Sequence, residues 1–201
     1  MIEPGSETVD PVTKTRLTVV ESDANGFVVE AHCPPGAGPW VLEHIHTGWT
    51  ETFEIVSGKA TYKLSGAEHP VAEGETVELP AKEKHVHPWN AGDGELVYRQ
   101  TSRFEAPSPS AAHDVLGVFF TIHGLAREGK INKRGLPKNP LQFGATLRTL
   151  TKHGGYDAVV PIPAQKLLAA TLGKVAELAG YRGTYPRYVQ SGSGTKGAPL
   201  S

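Results

Sequence analysis

His44 and His46 stand two positions apart in Glu43-His44-Ile45-His46-Thr47-Gly48-Trp49-Thr50-Glu51. Side chains two apart on an extended chain leave the same face, so both imidazoles project together. A turn over Thr47–Thr50 brings Glu51, at the head of the next strand, back beside them. Two imidazoles and a carboxylate on neighbouring strands can cap one face of a divalent ion and leave positions for water or substrate. A further histidine from another hairpin would complete a four-ligand set, and His85 is the candidate.

The elements that must position these groups are short strands. The pattern predicts strands over Val12–Val20, Phe27–Cys33, Trp40–His46, Glu51–Val56, Lys59–Leu64, Thr76–Leu79, His85–Trp89 and Glu95–Arg103. Turn formers separate them, such as Asn25-Gly26, Ser57-Gly58, Ser65-Gly66 and Glu73-Gly74. Alternation within Lys59–Leu64 puts Ala60, Tyr62 and Leu64 on one face. Strands at this spacing imply an all-β barrel or sandwich, jelly rolls among them.

After Phe104 the texture changes. Glu105-Ala106-Pro107-Ser108-Pro109-Ser110-Ala111 reads as a linker, and helices are expected over His113–Glu128, Pro140–Leu150 and Pro163–Ala179. In the third, Leu167, Leu168, Thr171, Leu172, Val175 and Leu178 recur at helical spacing, an apolar face to be covered by the barrel, another helix or a second subunit. The expected organisation is a barrel domain over 1–104, a helical extension over 105–190 packed on the barrel or a dimer partner, and a flexible tail over 191–201.

The histidine segment resembles the first conserved motif of the cupin superfamily, G-x5-H-x-H-x4-E-x6-G, which Gly38, His44, His46, Glu51 and Gly58 match at every spacing. A second motif, G-x5-P-x-G-x2-H-x3-N, is met by Gly74, Pro80 and His85; Lys82 replaces its middle glycine, and Asn90 arrives one residue late. The resemblance implies a mainly β, cupin-type double-stranded β-helix (jelly-roll) barrel with a C-terminal α-helical extension. It also implies one divalent ion held by His44, His46, Glu51 and His85. Iron, manganese, nickel, copper and zinc all suit such a set.

His87 follows His85 on the same face, and two readings stay open. A one-residue bulge near Pro88 would absorb the late Asn90 and leave His85 as ligand. Alternatively, Lys82 shifts the preceding turn and His87 takes the metal. The histidine left over, or Tyr62, is the candidate for proton transfer.

The implied function is a mononuclear metal-binding cupin acting on a small organic molecule, an enzyme of the dioxygenase type. A metal-dependent isomerase or lyase, and a non-catalytic metabolite- or metal-binding cupin, are the alternatives. Composition narrows the rest. A single cysteine, Cys33, excludes an internal disulfide framework, and its place before Pro34-Pro35 reads as a buried, inert thiol. No apolar run reaches the length of a membrane span, and the acidic start lacks an apolar leader, so a cytoplasmic protein is expected. Residues 1–102 carry seven Lys and Arg against sixteen Asp and Glu, whereas residues 103–201 carry thirteen against five. The basic residues form no dense run, and the second and third helices lack a tight turn between them, which argues against nucleic acid. A homodimer is the expected assembly.

Overall fold

The computed structural model describes residues 2–191. Its strands run β1 (Ser6–Val9), β2 (Arg16–Ser22), β3 (Gly26–Cys33), β4 (His44–His46), β5 (Trp49–Ser57), β6 (Lys59–Leu64), β7 (Ala67–Ala72), β8 (Thr76–Leu79), β9 (His85–Asn90) and β10 (Leu96–Phe104). Helices α1 (Pro109–Arg127) and α2 (Pro140–Lys152) follow. Then come β11 (Gly155–Asp157), α3 (Ile162–Ala170), α4 (Leu172–Leu178), a 3-10 turn at Pro186–Tyr188 and β12 (Gln190–Ser191).

Two antiparallel sheets form a jelly-roll barrel. One has the order β12-β1-β2-β3-β10-β5-β8, the other β11-β4-β9-β6-β7. The chain after Phe104 thus adds a strand to each sheet besides its helices. Of the segment 191–201 expected as a tail, Ser191 pairs with Ser6, and residues 192–201 lie outside the described residues.

Period-two alternation stacks the barrel interior in layers. Along β5, Trp49, Glu51, Phe53 and Ile55 are buried, and along β10, Leu96, Tyr98, Gln100, Ser102 and Phe104. Trp49 and Phe104 join Phe27, Val29 and the α1 residues Val115, Leu116 and Phe120 in one apolar cluster. Phe53, Ile55, Leu96 and Tyr98 join Ala31, Cys33 and Leu79 in another. Glu51, Gln100 and Ser102 fall between, a polar layer with apolar material on both sides. Burial of this kind strengthens each electrostatic contact made inside it.

Several elements depart from the sequence expectations for local reasons. The strand expected over Trp40–His46 is regular only from His44, because Trp40 turns to donate its indole N–H to Tyr98 Oη at 2.7 Å. β1 and β7 escape notice because their buried side chains give no apolar alternation: Ser6 and Thr8 are polar, and only Val71 of β7 is buried. Pro70 is tolerated in β7 because that strand is a sheet edge. Helix α1 starts earlier than expected, with Pro109 in its first turn, where a missing N–H costs nothing.

The third expected helix is broken at Thr171 into α3 and α4. Thr171 Oγ1 donates back to Leu167 O at 2.9 Å, a bond that bends a helix. The buried side of the pair is made of Gln165, Ala169, Gly173 and Ala176, which lets α4 approach α2 closely. Of the stripe expected to be covered, Leu172 packs on Gly144 of α2, whereas Leu167 is 66% exposed, Val175 55% and Leu178 78% on this chain.

Candidate metal centre

His44 and His46 lie on β4, Glu51 on β5, and His85 and His87 on β9. β4 pairs with β9 through His44 and His85, so the first and second motifs meet across a sheet ladder. One ligand atom from each of His44, His46, Glu51 and His85 lies within 4.8 Å of the others. His46, Glu51, His85 and His87 are buried, and His44 is half-buried.

Lys82, which stands where the second motif carries glycine, adopts the left-handed backbone all the same, with φ of 72°. Its N–H donates to His46 O at 2.7 Å, which ties the turn before β9 to β4. The late Asn90 is absorbed in β9: Thr61 faces Trp89 while Lys63 faces Val86, so β9 has one residue more than β6 at His87-Pro88. Asn90 Nδ2 then donates to Cys33 O, Pro34 O and Gly94 O at 2.8, 3.1 and 2.8 Å.

Hydrogen bonding assigns the histidine tautomers. His44 Nδ1 meets Leu42 O at 2.9 Å, and His85 Nδ1 meets Glu83 O at 2.8 Å. A carbonyl oxygen can only accept, so each Nδ1 carries the proton and each Nε2 keeps a lone pair. Those two Nε2 atoms are 3.2 Å apart. Two donors each about 2.1 Å from one ion lie at most about 4.2 Å apart, so the pair fits a shared metal. Neither ring nitrogen of His46 has a hydrogen-bond partner, although the residue is fully buried. A buried imidazole left so is costly unless it serves as a ligand.

Glu51 is held asymmetrically. Its Oε1 accepts from Trp49 Nε1 at 3.1 Å, Gln100 Nε2 at 3.0 Å and Ser102 Oγ at 3.3 Å. Its Oε2 faces the histidines: His87 Nε2 at 2.8 Å, His46 Nε2 at 3.3 Å and His85 Nε2 at 3.5 Å. Burial alone would raise this carboxyl, but its histidine neighbours, His87 above all, outweigh it and hold Glu51 well below the usual carboxylate range. Burial, reinforced by neighbouring His87 and His85, pushes His44 well below the usual imidazole range against the pull of Glu51, which keeps it in the neutral ligand form. Burial lowers His87 as well, with Glu51 opposing.

His87 also packs against Trp40 and Phe53, at ring-centroid distances of 5.5 and 4.9 Å. Tyr62 sits elsewhere: its ring stacks on His69 at 5.2 Å, where β6 pairs with β7. Cys33 is buried, and burial pushes its thiol up to about 11, as befits an inert core residue. Sequence reasoning missed Trp49, Gln100 and Ser102. A signal existed for two of them: on a strand whose inward positions are Leu96, Tyr98 and Phe104, Gln100 and Ser102 are polar residues at inward parity.

Residues 29–99 match the family model of the cupin domain. The chain therefore carries a cupin domain over those residues. No curated protein matches the chain. Among solved structures, it is similar to one described as a predicted oxalate decarboxylase from Thermotoga maritima, with 18% identity over 51% of this chain and 94% of that one and a TM-score of 0.43. It is also similar to an uncharacterized conserved protein with a double-stranded β-helix domain from Klebsiella pneumoniae, with 20% identity over 46% and 78% and a TM-score of 0.41. A third is the cupin domain of Schizosaccharomyces pombe Cnp3, with 12% identity over 45% of this chain, a span of 65% of that one, and a TM-score of 0.42. No helix is long and apolar enough to cross a membrane, among the described residues.

Proposed function

We propose that this chain is a mononuclear metal-binding cupin acting on a small organic molecule, an enzyme of the dioxygenase type. His44, His46, Glu51 and His85 would hold one divalent transition ion: iron, manganese, nickel, copper or zinc. The observation that carries the reading is the 3.2 Å approach of the His44 and His85 Nε2 lone pairs, with both Nδ1 protons committed to backbone carbonyls. A bound ion supplies Lewis acidity and, if it is iron, activation of dioxygen.

The chain's own residues do the rest. Trp49, Gln100 and Ser102 orient the Glu51 carboxylate so that Oε2 faces the histidines. Phe53 and Trp40 wall the His87 side with apolar surface that keeps water away. Proton transfer falls to His87 rather than to Tyr62, because His87 Nε2 is 2.8 Å from Glu51 Oε2. That same contact favours one second reading, an isomerase or lyase, since an inward base needs no dioxygen. Residues 1–104 form the barrel unit in this proposal, with 105–190 as its extension. A homodimer and a cytoplasmic location complete it, the exposed Leu167, Val175 and Leu178 supporting self-association.

Elemental analysis of untagged protein purified without chelator tests the proposal, beside a His44→Ala/His46→Ala control. About one equivalent of metal, lost in the control, is the expected result. Turnover in air and its loss under anaerobic conditions would mark the dioxygenase; retained anaerobic turnover would mark the isomerase or lyase. No metal in the purified protein and none after reconstitution would overturn the metalloprotein reading.

A further inference from the structure

We propose that Trp49, clamped from behind by Gly155, is a positioning residue for the metal ligands, so that the segment after the barrel is built into the metal centre. The inference rests on the metal-binding reading above.

One indole controls two of the four ligands. The Trp49 ring lies nearly parallel to His46, with centroids 4.5 Å apart and an 18° interplanar angle. Its Nε1 donates to Glu51 Oε1 at 3.1 Å. Neither nitrogen of His46 is hydrogen-bonded, so packing orients that ring, and Trp49 supplies its one stacked face. The hydrogen bond meanwhile helps to keep Oε1 turned away from the histidines and Oε2 toward them. Trp49 is itself buried, with Phe104 against it at 5.7 Å.

What fixes Trp49 comes from the far end of the sequence. β11 pairs with β4, and Gly155 lies opposite His46 in that ladder. A Cβ added at Gly155 would stand 3.0 Å from Trp49 Cη2, so the absence of a side chain there lets the indole reach its place. The preceding Gly154 has φ of 87°, and a Cβ on it would stand 2.8 Å from Thr47 Oγ1. Gly154 O accepts from Thr47 N–H at 2.8 Å, which locks the Thr47-Gly48 turn that joins His46 to Trp49. His153 Nε2 is 2.7 Å from Asp114 Oδ2, which ties the same loop to α1. The extension therefore grips the ligand strand, the turn after it and the indole behind the ligands.

Cobalt(II) added to the full-length apoprotein is the probe, because its visible absorption reports ligand geometry and its affinity follows from competition with a chelator. Trp49→Phe keeps an aromatic face but lacks the N–H, and its affinity is expected to fall about tenfold to a hundredfold with a shifted spectrum. Gly155→Ala leaves Trp49 in the sequence but crowds it; a fall of about tenfold, with a spectral shift in the same direction, is expected. Leu125→Ala, a cavity in α1 outside both apolar clusters of the barrel, should lower Tm and leave both readouts unchanged. If one substituted protein does not fold, the other decides. A folded Trp49→Phe or Gly155→Ala protein with wild-type affinity and spectrum would overturn this inference while leaving the metal site standing. Wild-type protein that takes up no cobalt(II) would overturn the metal-binding reading, and this inference with it.

Discussion

His44 and His85 face each other across the β4–β9 ladder with their Nε2 atoms 3.2 Å apart and both Nδ1 protons given to backbone carbonyls, Leu42 O and Glu83 O. Two lone pairs held at that distance repel, and a shared cation relieves the repulsion. Both rings are thereby held in a tautomer that could bind an ion through Nε2. His87 is differently placed, with Nε2 against Glu51 Oε2 and a buried Nδ1 that has no partner.

That difference separates the two second-motif histidines by experiment. His85→Ala is expected to weaken metal binding by more than about a hundredfold, since a ligand is lost outright rather than reoriented. His87→Ala is expected to keep binding within about tenfold and to lose turnover. Metal titration of the two purified variants checks this, and the reverse ranking would assign the ligand to His87.

Removing the metal should also loosen the barrel. An ion at about a hundred times its Kd adds about 2.7 kcal/mol to the folded state. For a chain of this length that corresponds to roughly 5–10 °C in Tm. Calorimetry with and without a chelator measures the shift, and it should vanish in the His44→Ala/His46→Ala protein.

His123, buried between α1 and β1 with Thr8 Oγ1 3.3 Å from its Nδ1, gives a pH signature outside the metal site. Burial lowers it to about 4, with Asp10 pulling up and Arg127 pushing down. Below about pH 6.5 the unfolded chain takes up a proton that folded His123 refuses, so stability from this group falls until about pH 4 and is level below. The wild type should therefore lose about 3 kcal/mol relative to His123→Gln between pH 7 and pH 4. Urea unfolding of both proteins across that range measures the difference, and parallel curves would count against it.

Asn90 is a polar clasp. Its Nδ2 donates to three carbonyls, and its Oδ1 accepts from Gly92 N at 2.9 Å. Asn90→Asp places a buried carboxylate against those carbonyl oxygens and should cost roughly 3 kcal/mol or more at neutral pH. Part of the loss should return in acid as the carboxyl gains a proton and donates. Denaturant midpoints at pH 7 and pH 5 test both statements.

Much of the barrel was legible because one face of each strand is buried and the turns carry their own chemistry. β3, β6 and β8 lie close to the residues expected of them, and the bulge at His87-Pro88 was foreshadowed by one late asparagine. The approach of His44, His46 and Glu51 followed from parity and a short turn, both local properties of the chain. Helix α2 starts at the expected Pro140, and Asn139 before it caps the helix, its Oδ1 accepting from Leu141 N and Gln142 N.

Residue types, their parity on each strand and the turns that bring neighbours together are local matters, because they depend on a few adjacent positions. Which distant groups support them is settled by how the strands and helices pack. Gln100 and Ser102 reach Glu51 because β10 lies beside β5, and Gly155 reaches Trp49 because β11 lies beside β4. Likewise, Leu167, Val175 and Leu178 face outward because small residues, Ala169, Gly173 and Ala176, allow α2 to pack on the opposite side. Periodicity marks the faces of an element; which face meets a partner depends on the shape of the partner, and that is a property of the folded chain.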